Sequence, residues 1–400
     1  MADTQGTPPQ SVPQPMPAPP PAVAVLPVAA LTGVHLAAAW ASLALGVLLA
    51  LVTIFRGGTP ALPVVPVVPD GVQQHVPADP PTGWVDDPAA VKAVRESLPV
   101  GERYFGDTPA GRAVMGDEKD VLLSDGVKKL LGKHIPARNQ RDVGSCVGFA
   151  TTSAVEYLIA LQALEAGMGP AAFRDLVQEV LYALSRVEVG GGRIRGDGSV
   201  TAWSGEAAKR FGVISRGIYG KFDLTQYDTG RCRDWGRSGL PDELEPIAKQ
   251  SPVKGITFVR SAEEAAKAIR QGYPIAQGSG VGFGARGPYR RDADGFLRAS
   301  GSWGHCMACI GVVGGKRPGF LILNSWGPDW VEGPTGGRDI PAGSFFVDWG
   351  THDRMCKEGD AIAFSDAVGF PERDPWFILQ ANPAPARRQE RVVFASELAP

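Results

Sequence analysis

Arg138-Asn139-Gln140-Arg141-Asp142-Val143-Gly144-Ser145-Cys146-Val147-Gly148-Phe149-Ala150 decides how the chain is read. A side-chain amide, Gln140, stands six residues ahead of a thiol, Cys146, which follows the small Gly144-Ser145 pair. From Cys146 to about Ala166 there is no proline, and Phe149, Ala150, Ser153, Ala154, Tyr157, Leu158, Leu161 and Leu164 recur near one helical face. The cysteine is therefore expected at a helix N-terminus, and Gly167 with Gly169-Pro170 ends that helix. Far downstream, Gly304-His305-Cys306 leads into an apolar run, and Leu323-Asn324-Ser325-Trp326-Gly327 follows it.

Gln, Cys, His and Asn in this order are the parts of a thiol hydrolase. A cysteine attacks as thiolate, so its pKa must fall below the free value of about 8.5. A helix N-terminus and a nearby imidazolium both favour the thiolate. His305 would supply the imidazolium and later protonate the leaving amine. Asn324 would hold the second ring nitrogen of His305, and Gln140 would donate to an oxyanion alongside the Cys146 N–H.

With these residues in place, the chain resembles the papain family (clan CA, C1) of cysteine peptidases, in a bacterial-type form. Gln140, Cys146, His305 and Asn324 fall on the family's oxyanion Gln, nucleophile, base and orienting Asn. Trp326 falls on the tryptophan that shields the His–Asn bond in the Asn-Ser-Trp-Gly motif. Leu181-Tyr182, Asp197-Gly198-Ser199 through Phe211-Gly212-Val213, Ser261 to Ile269 and Tyr273-Pro274-Ile275 match lesser motifs in order, so the resemblance covers roughly residues 120–370. It implies an α+β fold in two lobes, one helical and one an antiparallel, β-barrel-like sheet, with peptide or protein substrates in the cleft between them. Ser145 and Gly198 are the candidate substrate-binding residues. No cofactor or metal is implied.

The chain also departs from the pattern. Val143 stands where the family has a disulfide cysteine, and Val147 where it has an aromatic beside the nucleophile. The family's inhibitory leader motif of spaced Glu, Arg, Phe and Asn is not visible between residues 60 and 135. A catalytically silent papain-like domain, serving as a membrane-anchored binding or scaffolding module, is the alternative function. Cys306 and Cys309 form a Cys-x-x-Cys beside His305, but no second paired cluster completes four ligands, so zinc is not expected. Cys232, Cys309 and Cys356 read as inert small hydrophobes. If a disulfide forms, Cys232 and Cys356 are its candidates, and five cysteines leave at least one free thiol. Of the other histidines, His35 lies in an apolar stretch, and His75, His134 and His352 are expected in exposed loops.

The 400 residues carry a net charge of −2, with 44% hydrophobic and 20% charged residues, which suits a globular core and argues against a nucleic-acid partner. Residues 1–28 form a Pro-rich N-terminus expected to be disordered. Residues 29–55, Ala29–Phe55, are uncharged and apolar, long enough to cross the roughly 30 Å hydrocarbon core. No Lys or Arg precedes residue 56, as a signal peptide would require, so an uncleaved single-pass anchor is expected. Arg56 favours a cytoplasmic catalytic domain by the positive-inside rule. The resemblance favours the opposite side, and the expectation leans extracytoplasmic. A Pro/Gly-rich tether (56–83), a leader packed on the enzyme (84–135), the peptidase domain (136–372) and a tail (373–400) complete the layout. Within the peptidase domain, helices are expected at Cys146–Ala166, Ala171–Val187 and Ser204–Phe211. Strands are expected at Pro274–Gln277, His305–Val313, Gly319–Leu323 and Phe345–Asp348, and the stretch Arg286–Ser302 could crown the cleft.

Overall fold

Most helices come early along the chain and most strands late, and the long helix of the first part packs on the sheet of the second. The computed structural model describes residues 82–113, 120–284 and 288–369. The expected anchor Ala29–Phe55, the Pro-rich segment before it and nearly all of the tether lie outside the described residues, as does the tail. Eight helices carry the helical part: α1 (Pro88–Ser97), α2 (Leu123–Leu131), α3 (Cys146–Glu165), α4 (Gln178–Leu184), α5 (Thr201–Arg210), α6 (Thr229–Ser238), α7 (Ala262–Arg270) and α8 (Trp349–Lys357). Short single turns join some of them.

The main sheet is built from β1 (Val121–Leu122), β2 (Val253–Phe258), β3 (Ile275–Val281), β4 (Ser302–Val313), β5 (Gly319–Leu323), β6 (Ser344–Asp348) and β7 (Ala361–Ala367). Its order is β6-β5-β4-β3-β7-β2, with β1 added on β4 and every pairing antiparallel. The order is open: β2 and β6 end the path and do not pair with one another, so the expected barrel-like closure is absent from the described pairings. The long β4 organises the sheet, with β3 along its first half and β5 along its second.

Helix α3 is buried on all sides except at its C-terminal end. A helix that is apolar all round belongs inside a protein or a membrane. Among the described residues α3 is the one helix long and apolar enough to span a bilayer, and it lies in the core against β4 and β7. The expectation of a single apolar face on α3 was too narrow.

One carboxylate interrupts α3. Glu156 is fully buried, takes two hydrogen bonds from the Arg138 guanidinium (2.5 and 2.8 Å), and accepts the Leu176 N–H at 2.8 Å. Burial pushes its carboxyl up to about 7 against the pull of Arg138. Arg138 also pairs with Asp175. These bonds break the helix expected over Ala171–Val187. Residues 173–177 are held extended, α4 starts only at Gln178, and a π-turn (Ser185–Val189) finishes it.

Helix α5 begins at Thr201, three residues before the expected Ser204, because a distant carboxylate caps it: Asp360 accepts the N–H groups of Thr201 and Ala202, each at 2.8 Å. The chain ahead of the catalytic residues also carries a helix. This helix, α1, is capped by Asp87, starts on Pro88 and lies against α5. The five cysteines are free and buried, so no disulfide joins Cys232 or Cys356. His352 is buried in α8 and not exposed in a loop. In the described part of the stretch before β4, Tyr289–Arg290 pairs with Val331–Glu332, and the Tyr289 ring packs on Trp303 and Trp330.

Candidate active site

Cys146 is the first residue of α3, where helix N–H groups lack intrahelical partners. Its close packing depends on Gly148, one turn in. A Cβ there would lie 3.0 Å from both the Gln178 carbonyl oxygen and Tyr182 Cβ, so α4 reaches the first turn of α3 only because the side chain is a hydrogen. The Cys146 sulfur accepts the Cys306 N–H at 3.3 Å, which joins the helix start to the middle of β4. Burial pushes the thiol up to about 12, and the backbone N–H groups of Cys306, Val147, Cys146 and Trp84 offset part of that.

His305 precedes Cys306 on β4 and pairs with Ser279 of β3. Its Nε2 meets Asn324 Oδ1 at 2.7 Å, and the same oxygen accepts the Ser325 N–H at 2.7 Å. An oxygen that receives two hydrogen bonds is an acceptor toward both, so Nε2 carries the proton and Nδ1 is the bare nitrogen. Nδ1 is buried with no hydrogen-bond partner among the described residues. Burial lowers the imidazole to about 4, against the raising effect of the Asn324 bond.

Trp326 lies over the His305 ring, with centroids 4.7 Å apart and planes 34° apart. It belongs to an aromatic group with Trp303 (4.8 Å) and Trp330 (5.1 Å), and Trp303 turns its edge toward His305 at 6.4 Å. Trp303 was missed in the sequence. Its position two residues before His305 on a strand, hence on the same face, was the available signal.

Gln140 reaches the site through a three-residue ladder. The Gln140 N–H donates to the Ser325 carbonyl (2.8 Å), the Gly327 N–H donates to the Arg138 carbonyl (2.9 Å), and Asn139 bridges Trp326. The amide is fully buried. Its Nε2 donates to the Val143 carbonyl at 2.9 Å, and its Oε1 accepts the Ser325 hydroxyl at 2.6 Å. The structure therefore brings Gln140, Cys146, His305, Asn324 and Trp326 to one locus. Of the two candidate binding residues, Ser145 contacts the Tyr227 hydroxyl at 3.3 Å, and Gly198 donates its N–H to the Tyr182 hydroxyl at 2.9 Å. Gly198 lies against an extended chain, since a Cβ on it would fall 3.0 Å from the Gly83 carbonyl oxygen, and the next residue, Ser199, hydrogen-bonds that chain.

That extended chain is the protein's own leader. Residues 82–85 cross the locus as a strap. The N–H groups of Gly83 and Trp84 both donate to the Gly304 carbonyl (2.9 and 2.8 Å). Ser199 N–H donates to the Gly83 carbonyl (2.8 Å), and Val85 N–H to the Ser199 carbonyl (2.9 Å), a parallel bridge. The approach is close because both chains are bare: a Cβ on Gly83 would fall 2.1 Å from the Gly144 carbonyl oxygen. The Trp84 indole is buried, and its Nε1 donates to Asp360 Oδ2 at 2.6 Å. Although the leader motif of the resembled family is not visible, the leader lies over Cys146 through this short segment. Among the described residues no group of three His, Cys, Asp or Glu side chains is placed to hold a metal.

No protein-family model and no curated protein matches the chain. Among solved structures it is similar to xylellain, a cysteine protease from Xylella fastidiosa, at 15% identity over 74% of this chain and 98% of that one, with a TM-score of 0.48. It is also similar to procathepsin B S9 from Trypanosoma congolense (15% identity, 74% and 94% covered, TM-score 0.43). Digestive procathepsin L 3 from the larval midgut of Tenebrio molitor is a third (16% identity, 68% and 77% covered, TM-score 0.40). Likeness at this level assigns neither fold nor activity, so the chemistry of the residues must carry the assignment.

Proposed function

We propose that the chain is a papain-like cysteine peptidase that hydrolyses peptide bonds through an acyl-thioester on Cys146. The observation that carries this reading is the His305–Asn324 bond. It places the imidazole proton on Nε2 and leaves a bare, unpartnered Nδ1 on the residue adjoining Cys306, whose N–H touches the Cys146 sulfur. Nδ1 takes the thiol proton as the sulfur bonds to the substrate carbonyl carbon. The oxyanion that forms is met by the Cys146 N–H and by an amide hydrogen of Gln140. His305 then returns the proton to the leaving amine as the C–N bond breaks, and water releases the acid by the reverse sequence. Trp326 keeps water from the His305–Asn324 bond.

The strap makes the described state a latent one. It occupies the backbone donors and acceptors that a substrate chain would use, and under it the thiol and imidazole are both neutral at pH 7. Withdrawal of residues 82–85 admits water and substrate, and hydration favours the charged pair. Tethering by Ala29–Phe55 completes the reading and rests on sequence pattern alone; the lean toward an extracytoplasmic catalytic domain rests on the family resemblance, against Arg56. Carbonate extraction without detergent, which should leave the full chain in the membrane pellet, checks the anchor.

The test of the peptidase uses the full chain carrying Gly83→Ala, which cannot seat the strap. It should cleave a peptide library at neutral pH and react with an epoxysuccinyl reagent at Cys146. Adding Cys146→Ala should remove both. Cleavage that survives, or labelling that moves to Cys306, contradicts the assignment.

A further inference from the structure

The Trp84 indole fills a pocket whose floor is a buried carboxylate. Asp360 is fully buried, and hydrogen bonds converge on it from the N–H groups of Thr201 and Ala202, which open α5, from the Thr201 hydroxyl and from Trp84 Nε1. The Thr201 and Ala202 donors belong to the folded domain and remain whatever the leader does. The Trp84 donor leaves with the strap. The pocket wall is cut close around the indole, since a Cβ on Gly278 would lie 2.1 Å from Trp84 Nε1 and 2.5 Å from Thr201 Oγ1. Cys306 forms another side, with its sulfur 3.4 Å from Thr201 Oγ1. The pocket therefore opens beside Cys146 and is bordered by Ser199, which pairs with the strap backbone.

We propose that Asp360 is the specificity-determining residue of this site: with the strap withdrawn, the space of the Trp84 indole takes the arginine or lysine side chain of a substrate peptide bound along Ser199 and Gly304. The proposal rests on the peptidase reading for the word substrate, but the pocket's selectivity stands on its own geometry. An apolar side chain would bury Asp360 Oδ2 with its pocket-facing bond unmade, whereas a basic side chain restores that bond and adds opposite charge. Discrimination follows from the penalty on the wrong occupant as much as from attraction to the right one. With the strap seated, burial raises the Asp360 carboxyl to about 6, opposed by the Trp84, Thr201 and Ala202 N–H groups and the Thr201 hydroxyl. Trp84 satisfies the same acceptor with a neutral N–H, which suits a segment that must be released.

The experiment uses the full chain with Cys146→Ala, Gly83→Ala and Trp84→Ala, which opens the pocket and removes the chemistry. Binding at pH 7.5 is measured by fluorescence anisotropy for acetylated, labelled poly-alanine hexapeptides in which Arg, Lys or norleucine visits each position. We expect one position where Arg or Lys binds at least about tenfold tighter than norleucine. Asp360→Asn should bring the two within about twofold. Because Asp360 caps α5, Gly278→Ala serves as a second variant; its methyl enters the space of the indole, where the Thr201 hydroxyl must turn aside, and should abolish the preference while leaving the carboxylate in place. Norleucine binding as tightly as Arg at every position, a preference that survives both variants, or no peptide binding at all would overturn the proposal. Hydrolysis of the same peptides by the chain with Cys146 restored reports separately on the peptidase reading.

Discussion

Among the described residues two buried thiol–imidazole couples occur, and one of them has the surroundings proposed for a reactive site. Cys356 and His352 lie one turn apart on α8, with sulfur and Nδ1 separated by 3.6 Å. Burial pushes the Cys356 thiol up to about 12 and the His352 imidazole down to about 3, much as it does for Cys146 (about 12) and His305 (about 4). The electrostatics do not separate the couples. Their neighbours do. Cys356 sits in the last turn of its helix, where the dipole opposes a thiolate, and the His352 ring is stacked on Phe320 at 3.8 Å with no amide to orient it. Cys146 opens its helix, and His305 is held by Asn324. What covers Cys146 includes a short strap, which the proposed function has leave, whereas Cys356 is enclosed by the core. A Cys–His contact is therefore not a site until a helix start, an orienting amide and a removable cover are added.

The sharpest way to break this comparison is to delete each thiol in the Gly83→Ala chain. Cys146→Ala should lower peptide hydrolysis by roughly 10⁴-fold or more. Cys356→Ala should leave kcat/KM within a factor of a few. Equal losses from both would erase the distinction.

The orienting and oxyanion groups come next. Gln140→Ala should reduce kcat by roughly 10²–10³-fold, as loss of an oxyanion donor does elsewhere. Asn324→Ala should lower kcat more than it changes KM, because it positions an imidazole and holds no substrate. Steady-state kinetics that show the loss mainly in KM would argue against both roles.

The strap sets a smaller effect. In the intact chain, iodoacetamide should label Cys146 slowly at pH 7.5. Gly83→Ala should raise that rate at least about tenfold, since uncovering lets the thiol relax toward its free value of about 8.5. Mass spectrometry should find Cys356 unmodified in both chains. An unchanged rate would show that the strap does not shield the thiol.

The smallest effect is on stability. Both imidazoles are held neutral by burial, with folded values of about 4 and 3, below the unfolded value of about 6.5. The unfolded chain therefore binds protons first as pH falls, and the stability present above about pH 6.5 is lost as pH drops toward the folded values. His352→Leu should thus lose less stability between pH 7 and pH 5 than the parent, by on the order of 2 kcal/mol. Denaturant melts at the two pH values read this directly, and an unchanged difference would mean that His352 is not held neutral.

Pattern and spacing made the members of the proposed site legible. The Gly-Ser-Cys start of an apolar helix and the Asn-Ser-Trp-Gly run were sufficient to name Gln140, Cys146, His305, Asn324 and Trp326, because each sits in a local motif. Helix α3 and strand β5 were legible for the same reason, with apolar residues and glycine breaks set by near neighbours. Other features depend on partners far along the chain, and periodicity carries no trace of them. Asp360 caps α5 from more than 150 residues away, and Glu156 draws Leu176 out of a helix. His352 is buried because Phe320 lies under it. The strap was invisible because its bonds to Gly304 and Ser199 are backbone ones and its one side-chain bond, from Trp84 to Asp360, joins residues 276 apart in the chain. The sequence by itself determined which side chains could do the chemistry. Only the tertiary structure decided which are covered, which are capped and which carboxylate waits in the pocket, because burial and long-range hydrogen bonding exist only once distant segments have met.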